Sequence, residues 1–343
     1  MNRLGSTVCS SLAPLLVGLL AACGGNEPPA QPPPPTTASA MPEPPPPPAP
    51  ASAAPAASEA PAAPAAPAKP AAALSLHDAG FNTPESVYYD AKNDVYLVSN
   101  INGSPTATDN NGYISRVSPD GTKVEAKWIE AGKSGVKLDA PKGSVIVNGT
   151  LYVADITRLR TFDADGGKPK GDIALPGCTF ANDVAAGPDG KVYVSDSGIK
   201  FDDKGNPVPT KSDAVYVVDK GKAKTLAKGD DLGHPNGVVW SGDKLWVVTF
   251  GTGEIYSLDK AGKKADAQKL PKGALDGVVT LSDGSYLVSS WEGSGIYRGK
   301  PGADWTLVLS DLKAPADIGY DTKRGRVLVP LFMDSAVEAY AVP

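Results

Sequence analysis

The chain has 343 residues, with 33 Lys and Arg against 38 Asp and Glu, and a net charge of −5. This balance leaves no basic surplus, and no stripe of interleaved aromatic and basic residues occurs, so nucleic acid is excluded as an expected partner. All 23 Phe, Trp and Tyr residues lie between Phe81 and Tyr340, which places the hydrophobic core there. That region is long enough for one large domain, which we expect to be a monomer.

Residues 1–22 are predicted to be a lipoprotein signal peptide. Arg3 provides a positive charge, and the apolar run from Leu12 to Leu20 is too short to cross a bilayer. The LAAC segment that ends at Cys23 resembles a bacterial lipobox, whose cysteine is acylated, for example with palmitate, and becomes the mature N-terminus. Several acyl chains would anchor the protein durably, so we expect it in the cell envelope, with Gly24 favouring the outer membrane by analogy. An ordinary secretory peptide is the alternative.

The next segment, residues 23–72, is predicted to be a disordered linker behind the acylated cysteine. Residues 27–72 contain 18 of the 34 prolines, are otherwise mostly alanine, and include no Phe, Trp or Tyr. Such a composition cannot bury enough apolar surface to offset the entropy lost on ordering. The folded domain is therefore predicted to span residues 73–343.

Cysteine usage agrees with an exported protein that folds without disulfides. If Cys23 is acylated and Cys9 is removed with the signal peptide, Cys178 is the only thiol left. No intramolecular disulfide can then form. A nucleophilic role for Cys178 is the alternative to a structural one, but the chain has just two histidines that could activate it.

Six segments of the folded region share one plan. Each begins with a polar or small residue and continues as a short strand, a tight turn and a second strand with an aromatic or aliphatic centre. The apolar runs are short and rich in β-branched or aromatic residues, and no helical period competes with them. The first residues of the segments, 40 to 57 positions apart, are Glu85, Lys142, Asn182, Asn236, Asp276 and Ala316.

A third strand follows each of these pairs, and a more polar fourth strand follows where the chain allows. The third strands are GYISRV, LRTFD, AVYVVD, EIYSLD, GIYR and AVEAYAV. Four antiparallel strands repeated six times predict an all-β fold, a six-bladed β-propeller. The last repeat ends after its third strand, so we expect the segment that begins at Ala73 to supply the missing strand and close the ring.

The first residue of each repeat should lie on the innermost strand, so that the six form a ring at one mouth of the central channel. This ring contains two carboxylates, Glu85 and Asp276, and two amides, Asn182 and Asn236. Like charges close together raise each other's pKa unless a cation neutralises them. Carboxylate and amide oxygens are the ligands of a hard divalent cation such as Ca²⁺. Alternatively, the ammonium group of Lys142 could pair with the two carboxylates and replace the cation.

The dipeptides that begin the third, fourth and fifth repeats, Asn-Asp, Asn-Gly and Asp-Gly, resemble the gluconolactonase/regucalcin family (senescence marker protein), as does Glu85 in the first repeat. The resemblance covers nearly all of residues 80–343. It implies a six-bladed propeller that binds a divalent cation, usually calcium, through Glu85, Asn182, Asn236 and Asp276. It also implies hydrolysis of a lactone or ester, in which the ion polarises the carbonyl.

Three features bear on the catalytic roles that this resemblance implies. Asp276 could act as general base or nucleophile. His234, two residues before Asn236, could assist it, but loop packing is the favoured role for this side chain. Phe180 occupies the position where gluconolactonases have a substrate-contacting arginine, so the pocket should be more apolar here.

The alternative function is a non-catalytic binding propeller of the NHL-repeat type, which would hold a small ligand or an envelope partner on the same face. The YVAD and YVSD segments resemble that repeat and occur in both classes. Two long loops, Asn100–Asn111 and Ser197–Asp213, should lie on the ring side and shape a ligand site in either case.

Overall fold

The computed structural model describes residues 69–202 and 204–342. The predicted signal peptide, Cys23 and nearly all of the predicted linker lie outside these residues. Within them, no helix has the length and apolar character needed to cross a membrane. One short 3-10 helix, Asp230–Leu232, accompanies the strands. The strands are β1 Leu74–Leu76, β2 Pro84–Asp90, β3 Val95–Asn100, β4 Tyr113–Val117, β5 Val124–Glu130, β6 Pro141–Val147, β7 Thr150–Asp155, β8 Arg158–Asp163, β9 Pro169–Ala174, β10 Ala181–Ala186, β11 Val192–Asp196, β12 Ile199–Phe201, β13 Pro207–Pro209, β14 Ala214–Asp219, β15 Lys222–Lys228, β16 Pro235–Ser241, β17 Lys244–Thr249, β18 Glu254–Leu258, β19 Lys264–Lys269, β20 Leu275–Thr280, β21 Tyr286–Ser290, β22 Gly295–Gly299, β23 Trp305–Leu309, β24 Gly319–Asp321, β25 Arg326–Leu331 and β26 Ala336–Ala341.

These strands form six four-stranded antiparallel sheets, which are the blades of a propeller. The blades are β2–β5, β6–β9, β10–β11–β14–β15, β16–β19, β20–β23 and β24–β25–β26–β1. The first strand of each of the first five blades, and β24 of the sixth, contacts its counterparts in the adjacent blades around a closed ring. The predicted six-bladed β-propeller is confirmed. The small sheet β12–β13 is a separate hairpin inserted in the third blade, which explains the longer interval before the fourth repeat.

The ring is closed by the N-terminal strand, as the sequence predicts. Strand β1 pairs antiparallel with β26, with Leu74 opposite Ala339 and Leu76 opposite Val337. The last blade thus combines three strands from the C-terminus with one from the start of the domain. This pairing covers the strand edge that β26 would otherwise expose.

The hydrophobic core is divided among the six interfaces between blades. Between the first two blades, for example, Leu97 and Ile114 pack with Leu151 and Val153. Alternating side chains of each strand point into the interface on either side, which is why short β-branched and aromatic strands suit this fold. Tight turns join the strands: Asn148 and Gly149 both have positive φ, 49° and 73°, as a type I′ hairpin requires.

Cys178 belongs to the core cluster between the second and third blades. Its Sγ lies 3.7 Å from the carbonyl oxygen of Ile156, and burial raises the pKa of the thiol. A thiol held in its neutral form is a poor nucleophile, so this environment agrees with a structural cysteine.

Candidate functional site

A cavity of about 890 Å³ lies where the inner strands begin. Strands from five blades contribute its floor, and two loops contribute to its wall. Five of the six first residues of the repeats line it, together with Phe180 and His234; the five are Glu85, Lys142, Asn182, Asn236 and Asp276. The sixth, Ala316, was also expected on the ring, but it precedes β24 and is not among the lining residues. The repeat pattern therefore brings together residues that are spread over about 190 positions of chain.

The side chains on the floor are set by irregularities in the inner strands. In the first five blades the pairing of the first with the second strand shifts register at the ring residue, as between Pro84 and Ser86 around Glu85. The same shift occurs between Leu275 and Val278, around Asp276. A β-bulge of this kind turns a side chain away from the regular alternation. It directs the ring residues into the cavity rather than into the interfaces between blades.

Glycine follows three of the ring residues because neighbouring inner strands approach closely at that point. A Cβ atom at Gly143 would lie 2.3 Å from Asp183 Oδ1, and one at Gly237 would lie 2.4 Å from the carbonyl oxygen of Asp276. At Gly277 it would lie 2.3 Å from the backbone nitrogen of Ile318. No side chain fits these positions, which gives a steric reason for the Asn-Gly and Asp-Gly pairs of the sequence.

Each of the four candidate cation ligands has a buried oxygen without a hydrogen-bond partner. Among the residues that the structure describes, nine buried side-chain polar atoms lack a partner, and four of them are Glu85 Oε2, Asn182 Oδ1, Asn236 Oδ1 and Asp276 Oδ1. Buried polar atoms are nearly always hydrogen-bonded, so four exceptions around one cavity need a cause. Oxygens of carboxylates and amides are the donors that a hard divalent cation prefers, so these residues fit such an ion.

The orientation of one amide follows from its neighbours. Asn182 Nδ2 donates to Ser197 Oγ at 2.9 Å, and Ser197 Oγ donates to the carbonyl oxygen of Pro235 at 2.8 Å. Because a carbonyl can only accept, the serine proton is used there and the serine oxygen accepts from the amide NH₂. The carbonyl oxygen of Asn182 is thereby left as the free acceptor.

The two carboxylates of the floor are held in an environment that disfavours their charge. Burial raises the pKa of Glu85 well above its ordinary value, and the negative charge of Asp276 adds to the effect. Burial also raises the pKa of Asp276, together with the charge of Asp317, while the Trp291 indole opposes the shift. A divalent cation would reverse this penalty. In the described ranges no group of three or more His, Cys, Asp or Glu is arranged to hold a metal, and the donor set here is instead two carboxylates with two amides.

Lys142 is buried near Glu85 but makes no ion pair with either of these carboxylates. Its Nζ donates to the carbonyl oxygens of Pro105 and Ala140, both at 3.0 Å, and lies 4.4 Å from the centre of the Phe180 ring. Burial lowers the pKa of the amine, whereas the charge of Glu85 raises it. The pairing of this ammonium with both carboxylates, considered from the sequence, is not the arrangement observed. Lys142 instead holds the loop that contains Pro105 against the floor.

A second pair of buried carboxyls lies one position further along the inner strands, and the sequence analysis missed it. Asp317 Oδ2 accepts a hydrogen bond from Ser86 Oγ at 2.6 Å, and Asp183 Oδ2 accepts one from the Val238 backbone at 2.7 Å. Burial raises the pKa of both, that of Asp317 to about 7. The recurrence of Asp immediately after the ring residue in two repeats is the signal that could have revealed the pair.

His234 is oriented by a carboxylate that is 21 positions earlier in the chain. Its backbone N–H donates to Asp213 Oδ2 at 2.7 Å, and its ring Nδ1 lies 2.8 Å from the Ser197 carbonyl oxygen and 3.2 Å from Asp213 Oδ1. Since the carbonyl can only accept, Nδ1 carries the proton and Nε2 of the neutral ring is the basic nitrogen. Asp213 was not predicted, because nothing in the sequence marks a contact between two loops.

The family model described as SMP-30/Gluconolactonase/LRE-like region matches residues 83–306, well over half of the chain. This chain belongs to that family. The resemblance inferred from its sequence motifs is therefore confirmed. A search of curated proteins gives no match to set beside it.

Solved structures give the same fold for this family member. A gluconolactonase from Xanthomonas campestris superposes with a TM-score of 0.60 at 18% identity, over 78% of this chain and 89% of that chain. A luciferin-regenerating enzyme superposes with a TM-score of 0.56 at 13% identity, over 78% of this chain and 95% of that chain. Virginiamycin B lyase from Staphylococcus aureus superposes with a TM-score of 0.55 at 14% identity, over 79% of this chain and 98% of that chain. At such identities the likeness concerns the fold alone.

In this gluconolactonase-like propeller the wall above the floor is mainly apolar. One side is a row of aromatic rings in which Phe250 contacts Trp291 and Trp291 contacts Phe332, with ring centres 5.6 and 5.2 Å apart. Each of the three immediately follows the second strand of its blade. This repeat position was not recognised from the sequence, although an aromatic residue occupies it in three repeats. On the other side, Phe180 contacts Phe201 of the inserted hairpin, with centres 6.2 Å apart.

Proposed function

We propose that this chain is a hydrolase that depends on a divalent cation, Ca²⁺ in the first instance, and opens lactones or cleaves related carboxylic esters in the cavity at the channel mouth. The observation that carries the proposal is the set of four buried oxygens without partners, on Glu85, Asn182, Asn236 and Asp276. Membership of the gluconolactonase-like family supports lactone chemistry in general. The two acidic ligands would balance the charge of the ion.

A Ca²⁺ ion held by these oxygens would polarise the substrate carbonyl and stabilise the negative charge that develops on its oxygen. The chain must then accept a proton from the attacking water and return one to the leaving oxygen. His234 is suited to this task, because its Nδ1 proton is bound by the Ser197 carbonyl and Asp213, so that Nε2 remains as base. Asp276 is the other candidate for the base, but in this proposal its carboxylate serves the cation.

The balance of the reaction is simple. Water adds its oxygen to the carbonyl carbon, the bond from that carbon to the ring oxygen breaks, and the ring oxygen takes up a proton. The product is a hydroxycarboxylate, with one proton released to the solution at neutral pH. Lys142 keeps the Pro105 loop in place by donating to the Pro105 carbonyl oxygen, and it takes no part in proton transfer.

The test is hydrolysis of a panel of γ- and δ-lactones and phenyl esters by the full chain, followed as acid release in a pH-stat. We expect activity with Ca²⁺, its loss with a chelator and its recovery when Ca²⁺ is restored. Glu85→Gln and Asp276→Asn should each lower kcat/KM by about 100-fold or more. Asp243→Asn makes the same change of charge at an exposed position and should have no effect.

A second comparison addresses the base and uses the only other histidine of the chain. His234→Gln should lower kcat by about 100-fold or more, whereas His77→Gln, in a half-exposed side chain of the closing segment, should not. If the protein binds Ca²⁺ but releases no acid from any lactone or ester, the hydrolase proposal is wrong and the binding propeller is favoured. Full activity of both Glu85→Gln and Asp276→Asn would also refute the site.

A further inference from the structure

The cavity of about 890 Å³ is lined above its floor by two sets of aromatic side chains. Phe250, Trp291 and Phe332 form one side, and the pair Phe180 and Phe201 forms the other. The rings come from four of the six blades, so the apolar wall extends along much of the space above the four oxygens instead of covering one patch of it. A group that enters this space leaves water for aromatic surface.

Several polar groups near the floor of the cavity are committed to contacts within the protein. Lys142 donates to two backbone carbonyls. Asn182 Nδ2 donates to Ser197 Oγ, which in turn donates to the carbonyl oxygen of Pro235. His234 Nδ1 is bound by Ser197 and Asp213. Beside the four oxygens, the groups of the described residues that remain without a partner include Trp291 Nε1 and His234 Nε2. A substrate with a hydroxyl group on every carbon would therefore lose more water contacts than these groups can replace, which is unfavourable.

The inserted hairpin presents one face to the cavity. Ile199 is paired with Pro209, and Phe201 with Pro207, and these four side chains line the space. Lys200, between Ile199 and Phe201, is exposed, as expected for the opposite face of a strand. The hairpin is thus an apolar wall segment, and its Phe201 packs on Phe180.

We propose that the substrate of this site is a lactone or ester that bears a bulky apolar or aromatic group, rather than a polyhydroxylated sugar lactone, and that Phe201 of the inserted hairpin helps to select it. This inference rests on the proposed hydrolase function. The ester group lies over the four oxygens, and the apolar group lies between the two aromatic sides. Phe201 acts on substrate binding and takes no part in the chemical step.

The test compares three probe lactones with the full chain in Ca²⁺: dihydrocoumarin, which carries an aromatic ring, δ-gluconolactone, which carries hydroxyls, and unsubstituted δ-valerolactone. We expect kcat/KM for dihydrocoumarin to exceed that for δ-gluconolactone by at least about tenfold. Phe201→Ala should raise KM for dihydrocoumarin about tenfold, with little change in kcat and no change for δ-valerolactone. Lys200→Ala, on the exposed face of the same hairpin, should leave all three unchanged.

A binding measurement separates this inference from the hydrolase proposal. The ring-opened products, 3-(2-hydroxyphenyl)propanoate and gluconate, are titrated into wild type, Phe201→Ala and Lys200→Ala by calorimetry. Tighter binding of the aryl product, weakened by Phe201→Ala alone, supports the inference even if no lactone is hydrolysed. The inference is overturned if gluconate binds as tightly as the aryl product or more tightly. It is also overturned if kcat/KM for δ-gluconolactone equals or exceeds that for dihydrocoumarin. Either result leaves the hydrolase proposal standing, provided that any lactone is turned over.

Discussion

Replacing Asp276 by Asn should change stability in opposite directions without and with calcium. In the cation-free protein, Asp276 and Glu85 are both buried, and burial raises the pKa of each, so their ionised forms oppose folding at neutral pH. Asn keeps the shape of the side chain and removes one of these charges. In calcium, the same change removes one of two anionic ligands. The cation-free variant should therefore be more stable than wild type, and the calcium-loaded variant less stable.

The magnitudes follow from burial and mass action. A buried polar group without a partner costs about 1–3 kcal/mol, and a charged group costs more, so we take about 2 kcal/mol for the exchange of this carboxylate for a neutral amide. In a domain of this size that corresponds to a rise in Tm of about 4 °C. Calcium at about 1,000 times its Kd would stabilise wild type by about 4 kcal/mol, and the variant by far less. The order of stability should thus reverse in calcium, where wild type should be about 2 kcal/mol more stable than the variant.

The assay is thermal unfolding followed by circular dichroism, with chelator and with excess calcium. Asp243→Asn is the matched control, because Asp243 is exposed in the turn between β16 and β17, and its Tm should follow wild type in both conditions. A cation-free Asp276→Asn protein that melts below wild type would refute the reasoning, because the buried carboxylate would then be stabilising the fold without an ion.

Three further predictions concern the fold and its anchoring. Gly143→Ala should lower the free energy of unfolding, measured in urea, by about 3 kcal/mol, because its Cβ would lie 2.3 Å from Asp183 Oδ1. Gly166→Ala, at an exposed turn, should cost less than about 1 kcal/mol. Similar losses for the two variants would contradict the steric argument. Leu74→Ala combined with Leu76→Ala should cost about 3 kcal/mol, because β1 then loses packing against the first blade and against β26 of its own blade. Ser75→Ala, at an exposed position, should cost little, and an unchanged urea midpoint for the double variant would contradict the closure. We also propose that Cys23 carries the lipid anchor: Cys23→Ser should abolish palmitate labelling and sedimentation with membranes while Cys9→Ser does neither, and a membrane-bound Cys23→Ser protein would exclude the anchor.

The repeats made the fold and the floor of the site predictable from sequence. Each repeat places its first residue at the same point of an inner strand, so the convergence of Glu85, Asn182, Asn236 and Asp276 on one cavity follows from their register alone. The closing strand could also be predicted, since the last repeat lacked a fourth strand and an amphipathic segment preceded the first.

Contacts between loops could not be predicted in the same way, because loops have no periodicity from which a position can be read. The link from Asp213 to His234 joins two loops, and the direction of the Lys142 side chain depends on where the Pro105 carbonyl lies. The aromatic wall falls between these cases. Phe250, Trp291 and Phe332 occupy one repeat position, so the sequence held the signal, but only the structure showed that this position faces the cavity.

The most direct test of the account is a crystal structure of the protein grown with calcium. We expect one ion bonded to Glu85 Oε2, Asn182 Oδ1, Asn236 Oδ1 and Asp276 Oδ1, the four buried oxygens that have no partner, at distances of about 2.3–2.6 Å. A structure in which those oxygens are instead paired with Lys142 or with water molecules, and no ion is bound, would contradict it.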